Sequence, residues 1–232
     1  LSADLPVLVF DVNETLTDMA PLAGRFTEAG LSAHLLPAWF AGVLRDGTAL
    51  TLAGGHASFA AVAREGLLAL AAGERAVPDP ERAADHVLSG LPELPVHPDV
   101  PEGVRALRSA GFRLATLTNG AAATTRAVLD RAGLTGLFEA HLDVTAPARW
   151  KPAPEAYAHA LRVLAVPASA ALLVAVHPWD VDGASRAGLR TGWLCRTPRP
   201  YPATHRPADV TAASLPELAE RLLTWRPPGG PP

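Results

Sequence analysis

At 232 residues, 49% of them apolar, and with a net charge of −3, the chain can build one large domain or a core with a smaller insert, and has no electrostatic case for nucleic acid or an anionic membrane. No apolar run approaches the ~18 residues that cross a bilayer, and no basic-then-apolar leader opens the chain, so a cytoplasmic protein is expected. The single cysteine, Cys195, excludes an internal disulfide and argues against a thiolate metal site.

Residues 7–10 form an unbroken apolar run, the pattern of a strand buried on both faces in a parallel sheet. Asp11 ends it. A carboxylate buried there must be held by hydrogen bonds and a nearby cation; otherwise it serves as a turn or cap residue. Over 21–91 the pattern turns helical, with helices expected over 37–45, 57–72 and 81–91, separated by Gly54-Gly55 and Pro78-Asp79-Pro80. The prolines between 91 and 101 read as a return linker and hinge. A helix is expected over 102–111, and a strand over 112–117 runs into Thr118-Asn119-Gly120. Next come a helix over 121–133, a short strand over 141–144, and Arg149-Trp150-Lys151-Pro152. A helix over 154–164 precedes a strand over 171–176, which ends at His177-Pro178-Trp179-Asp180. A short helix over 182–187, a final core strand over 191–195 and a helix over 215–224 close the fold. The Pro/Gly-rich stretch 226–232 is expected to be disordered.

Alternating strands and helices from residue 99 onward predict βαβ units and an open, doubly wound parallel sheet, a Rossmann-like α/β core. The expected division is a core of 1–16 plus 98–225 and a helical cap of 17–97. Such sheets bind ligands beyond the carboxyl ends of their strands. Asp11, Thr118-Asn119, Lys151 and Asp180 all follow strands and are expected to converge on one crevice. Lys151 is the only lysine in the chain.

Asp11-x-Asn13-x-Thr15-Leu16 after a hydrophobic strand resembles the first motif of the haloacid dehalogenase superfamily. Thr118-Asn119-Gly120, Lys151 before Pro152, and Asp180 after the 171–176 strand resemble the other three motifs, in order. The phosphatase branch carries a second acid where Asn13 stands, so the chain looks like the 2-haloacid dehalogenase branch. The resemblance implies that Asp11 displaces halide from a short 2-halocarboxylate and that water then cleaves the aspartyl ester at the Asp11 carbonyl carbon. It implies that Lys151 keeps Asp11 ionised, that Thr15 donates its hydroxyl to the same carboxylate, and that Asp180 orients Lys151 or the hydrolytic water. Thr118 and Asn119, with Asn13 among the substrate-binding positions, would hold the substrate's anionic end. A homodimer is also implied. Each of these residues has a plainer reading as a turn, a cap or a solvated side chain.

No metal or cofactor is expected. In the phosphatases magnesium takes oxygen ligands from the first-motif acid pair and fourth-motif acids; here Asn13 and Val176 stand in two of those places. Two features depart from the dehalogenases. Where a cap arginine receives the substrate carboxylate or the halide, this chain reads Trp39-Phe40, with Arg45 on the same helix as the nearest substitute. Ala175 and His177 replace a serine and an asparagine; His177 reads as a donor to the carboxylate, a base near neutral pH, or a polar turn residue. Phe40, Phe59 and Trp179 could line an apolar pocket or be plain core. The alternatives to a dehalogenase are a magnesium-dependent phosphatase using the same nucleophile and a non-catalytic small-acid binder.

Overall fold

Strand β1 (Val7–Phe10) is buried at every position and is paired in parallel on both sides. The computed structural model describes residues 5–74 and 76–224; the expected disordered tail lies outside them. After β1 come four helices, α1 (Leu22–Glu28), α2 (Leu35–Leu52), α3 (Phe59–Ala72) and α4 (Pro80–Leu88). The chain then alternates: α5 (Val100–Ser109), β2 (Leu114–Thr118), α6 (Ala122–Arg131), β3 (Ala140–Asp143), α7 (Pro154–Leu164), β4 (Ala171–Ala175), α8 (Pro178–Arg186), β5 (Arg190–Leu194), β6 (Val210–Ala212) and α9 (Leu215–Thr224). Among the described residues six strands lie in the order β3-β2-β1-β4-β5-β6, all parallel.

This order fixes where a site can form. The chain builds outward from β1 to β3, then returns to build β4 to β6 on the other side. The switch therefore falls between β1 and β4, and the crevice beyond their carboxyl ends is the natural binding place of an open α/β sheet. Asp11 sits at its mouth, its backbone N–H bonded to Val174 O at 3.0 Å.

Even these fully buried strands keep a period of two. Leu8, Phe10, Leu114, Leu172 and Val174 pack on α5 and α9 through Val104, Leu107, Leu218 and Leu222. Val7, Val9, Leu117 and Leu173 pack on α7 and α8 through Tyr157, Leu164 and Val181. Helices α1–α4 share a separate cluster built on Phe26, Trp39, Phe40, Phe59 and Leu67, and Trp150 from the core loop belongs to it. Among the described residues no helix is long and apolar enough to cross a membrane.

Four elements differ from the sequence expectation. Helix α1 was not anticipated. Strand β6 lies beyond the expected last strand; its three residues are too few for a periodic signal. Helix α8 starts at Pro178 rather than at residue 182, because proline fits a helix's first position. Asp180 therefore lies in the first turn of α8 and is not its cap. Helix α2 runs through Gly47 to Leu52, well past residue 45.

Gly47 is tolerated there because Trp150 lies on it. A Cβ at residue 47 would stand 2.3 Å from the indole ring. Trp150 also donates its backbone N–H to Thr51 Oγ1 at 3.1 Å and its indole N–H to Ala57 O at 3.0 Å. The residue before Lys151 is thus riveted to α2 and to the start of α3. Gly47→Ala is expected to cost about 1–3 kcal/mol by overpacking, read as a lowered Tm; an unchanged Tm would mean that Trp150 has room to move.

Candidate active site

The crevice holds four polar side chains out of water: Asp11 is 4% exposed, and Thr15, Lys151 and Asp180 are fully buried. A tight turn puts Thr15 beneath Asp11. Thr15 N and Leu16 N bond Val12 O, and Glu14 takes a left-handed conformation (φ 62°) to close the bend. Thr15 donates its hydroxyl to Asp11 Oδ2 at 2.6 Å and accepts from Val176 N at 3.1 Å.

Lys151 Nζ supplies the other side. It donates to Asp11 Oδ1 at 2.8 Å, to Asp180 Oδ2 at 2.6 Å and to Leu117 O at 2.8 Å. An ammonium has three N–H bonds, so all are committed. Asp180 accepts from the Tyr157 hydroxyl at Oδ1, 2.6 Å away. Burial pushes the Asp11 carboxyl up, but the charges of Lys151 and His177 and the bonds from Lys151 and Thr15 outweigh it and hold the group below its ordinary value. Burial pulls the Lys151 ammonium down, yet the two carboxylates beside it hold it above its ordinary value. Asp180 is pushed up by burial and by the Asp11 charge, against Lys151 and Tyr157.

The signs set a stability window. Asp11, depressed in the fold, contributes stability above its ordinary 3.8 and loses it as pH falls through the folded value. Lys151, raised in the fold, contributes below its ordinary 10.5 and loses it as pH rises through the folded value. Both contributions are therefore expected in full between those ordinary values. Unfolding free energies measured across pH for the parent and for Lys151→Met should diverge most inside that window; a constant difference through both limits would contradict the assignment.

Asn119 clamps the Lys151 backbone, accepting from its N–H at 2.8 Å and donating to its carbonyl at 3.2 Å. Asn13, Thr118 and Asn119 then line a cavity of about 110 Å³, walled also by Phe59 from the helical layer and by Trp150 from the loop after β3. Those two rings stack at 6.0 Å. The Thr118 oxygen accepts from Gly120 N at 2.9 Å. Thr118 to Ala121 bring the start of α6 to the cavity wall. His177 stacks on Trp179 at 5.2 Å, and the Phe40 ring lies 6.4 Å from His177 and 6.4 Å from Phe59.

A family model for haloacid dehalogenase-like hydrolases matches residues 5–188. The chain belongs to that family. Haloacetate dehalogenase H-2 of Moraxella sp. (strain B) is 36% identical over 99 residues, a stretch that spans 43% of this hydrolase and 44% of that protein. The (S)-2-haloacid dehalogenase of Xanthobacter autotrophicus is 30% identical over 194 residues, covering 83% of this hydrolase and 76% of that protein. The solved structure of L-2-haloacid dehalogenase from X. autotrophicus superposes with a TM-score of 0.87 at 25% identity, over 96% of this chain and 100% of that one.

One sequence expectation is corrected. Arg45 is not in the hydrolase's crevice: its side chain is 74% exposed and pairs with neighbouring Asp46 at 2.7 Å. Five residues along a helix rotate a side chain by about 140° from the starting one, so Arg45 leaves the face that carries Phe40. Two neighbours of the site were missed. Tyr157 shares the buried face of α7 with Ala160 and Leu164; a lone hydroxyl on an apolar face needs a partner, and that was the available signal. Trp150 had none, because its contacts lie some 100 positions away in sequence.

Proposed function

We propose that this hydrolase removes halide from short 2-halocarboxylates through an ester on Asp11. The observation that carries the reading is the Lys151 ammonium on one oxygen of the buried Asp11 carboxylate, with the Thr15 hydroxyl on the other. Together they keep the carboxylate anionic and stripped of water, the state in which it attacks carbon. Segment 17–97 acts as a cap whose Phe59, with Trp150, excludes solvent from the small cavity. The substrate carboxylate sits toward Thr118, Asn13 and the start of α6, where a helix N-terminus favours negative charge. Phe40 and Trp179 supply the apolar wall for the halogen side.

The reaction has two steps. An Asp11 oxygen bonds to the α-carbon while the carbon–halogen bond breaks and halide leaves with its electron pair. Water then adds to the Asp11 carbonyl carbon, the ester C–O bond breaks, and a 2-hydroxy acid departs. A single displacement at carbon inverts a chiral centre. Whichever Asp11 oxygen forms the ester, the other keeps its own donor as it gains charge, the Lys151 ammonium on Oδ1 or the Thr15 hydroxyl on Oδ2, and Asp180 with Tyr157 fixes the ammonium.

A phosphatase reading has less support. The Lys151 ammonium spans Asp11 and Asp180 directly, Asn13 is neutral and Val176 is apolar, a donor set that does not fit magnesium's oxygen-rich shell. A cytoplasmic homodimer belongs to the same proposal, and sedimentation of the purified chain tests the dimer. The direct test of function is a panel of 2-haloacids, fluoroacetate included, with and without chelator. Halide release indifferent to chelator is expected; turnover of aryl phosphates only with magnesium would overturn the reading.

A further inference from the structure

Cleaving the ester needs a base for the attacking water, and most groups around Asp11 cannot serve. Lys151 is an ammonium with every N–H committed. The Thr15 hydroxyl is bonded as donor and as acceptor. Asp180 has no exposed surface, its two oxygens hold Lys151 and Tyr157, and it reaches Asp11 only through the ammonium. His177 differs in each respect. Its side chain is 12% exposed, and its Nε2 stands 3.8 Å from Asp11 Oδ2, on the carboxylate oxygen that Lys151 does not bond. The ring is stacked on Trp179, so it is oriented without any strong hydrogen bond to Nε2. That nitrogen has only long contacts, to Asn13 O at 3.3 Å and Glu14 Oε2 at 3.5 Å besides Asp11.

We propose that His177 is the general base of the ester-cleaving step, a catalytic residue. The inference rests on the reading of Asp11 as the esterified nucleophile. In the resting site Nε2 faces three acceptor oxygens and carries a hydrogen. Esterification removes the Asp11 charge, and the resting imidazolium gives up its Nε2 proton through the Glu14 carboxylate, which is 45% exposed, while Nδ1 keeps its hydrogen. The free lone pair then takes a proton from water as its oxygen bonds to the Asp11 carbonyl carbon. When the ester C–O bond breaks, the departing alkoxide takes that proton back. The Asp11 carboxyl left behind ionises beside Lys151 and its proton restores the hydrogen on His177 Nε2, so substrate and water give hydroxy acid, halide and the one proton lost through Glu14.

The step separates from displacement in single-turnover experiments on His177→Gln and His177→Phe. Chloroacetate is mixed with excess enzyme, chloride is followed, and the protein is quenched in acid for mass analysis of the Asp11 peptide. Both variants are expected to release one equivalent of chloride at close to the parental rate, then to turn over about 10²–10⁴-fold more slowly, the range of general-base contributions. The Asp11 peptide should carry the ester through the quench. Imidazole added to His177→Ala should restore ester cleavage, a result a merely structural role would not give. Parental turnover in the variants, or loss of the first chloride equivalent with no ester, overturns the base assignment and leaves the function standing. A parent that releases no halide from any 2-haloacid overturns both.

Discussion

Lys151→Met is expected to destabilise the protein by about 3–5 kcal/mol and to slow halide release by roughly 10²–10³-fold. The side chain is fully buried and carries the one cation bonded to both Asp11 and Asp180. Removing it leaves two buried carboxylates facing each other. Relief comes by protonating one of them, and in either case Asp11 loses the ammonium that holds it ionised and in place. Lys151→Arg should not rescue activity, because a planar guanidinium cannot occupy the space of a compact ammonium that bonds three oxygens at 2.6–2.8 Å. Urea unfolding and halide release check the two effects separately. A stable, active methionine variant would mean that the ammonium is not the partner that holds Asp11 ionised.

Asp11→Asn should remove activity by about 10⁴-fold or more, the scale on which loss of a nucleophile acts. Its effect on the fold should be much smaller. Asn matches Asp in shape, Thr15 can still donate to its oxygen, and Asp180 still pairs with Lys151. Melting temperature and activity should therefore dissociate in this variant and fall together in Lys151→Met. Retained activity in Asp11→Asn would remove the nucleophile from the account.

Much of this arrangement is legible because burial and topology write themselves into local patterns. Val7 to Phe10 is apolar without a break because parallel strands are covered on both faces. The lone lysine after β3 and the acids after β1 and β4 meet because a doubly wound sheet gathers strand ends at its switch point. The Asn13, Thr15 and Thr118-Asn119 positions follow from the same strand ends. What was not legible depends on lateral contact. Arg45 and Phe40 share a helix, yet only packing against α3 decides which of them lies beside His177. The passage of α2 through Gly47 depends on an indole that lies against it from the loop before Lys151. Asn119 reads as a ligand for substrate, but its clamp on the Lys151 backbone, 32 positions away, leaves no local sign. Strand β6 joins the sheet because β5 offers an edge, not because three residues prefer to extend.

The central claim is that water attacks Asp11, not the substrate. Excess enzyme turning over one equivalent of a 2-haloacid in heavy-oxygen water tests it most directly. The account predicts the label in the Asp11 peptide and ordinary oxygen in the hydroxy acid. Label in the hydroxy acid, with Asp11 unlabelled, would contradict it.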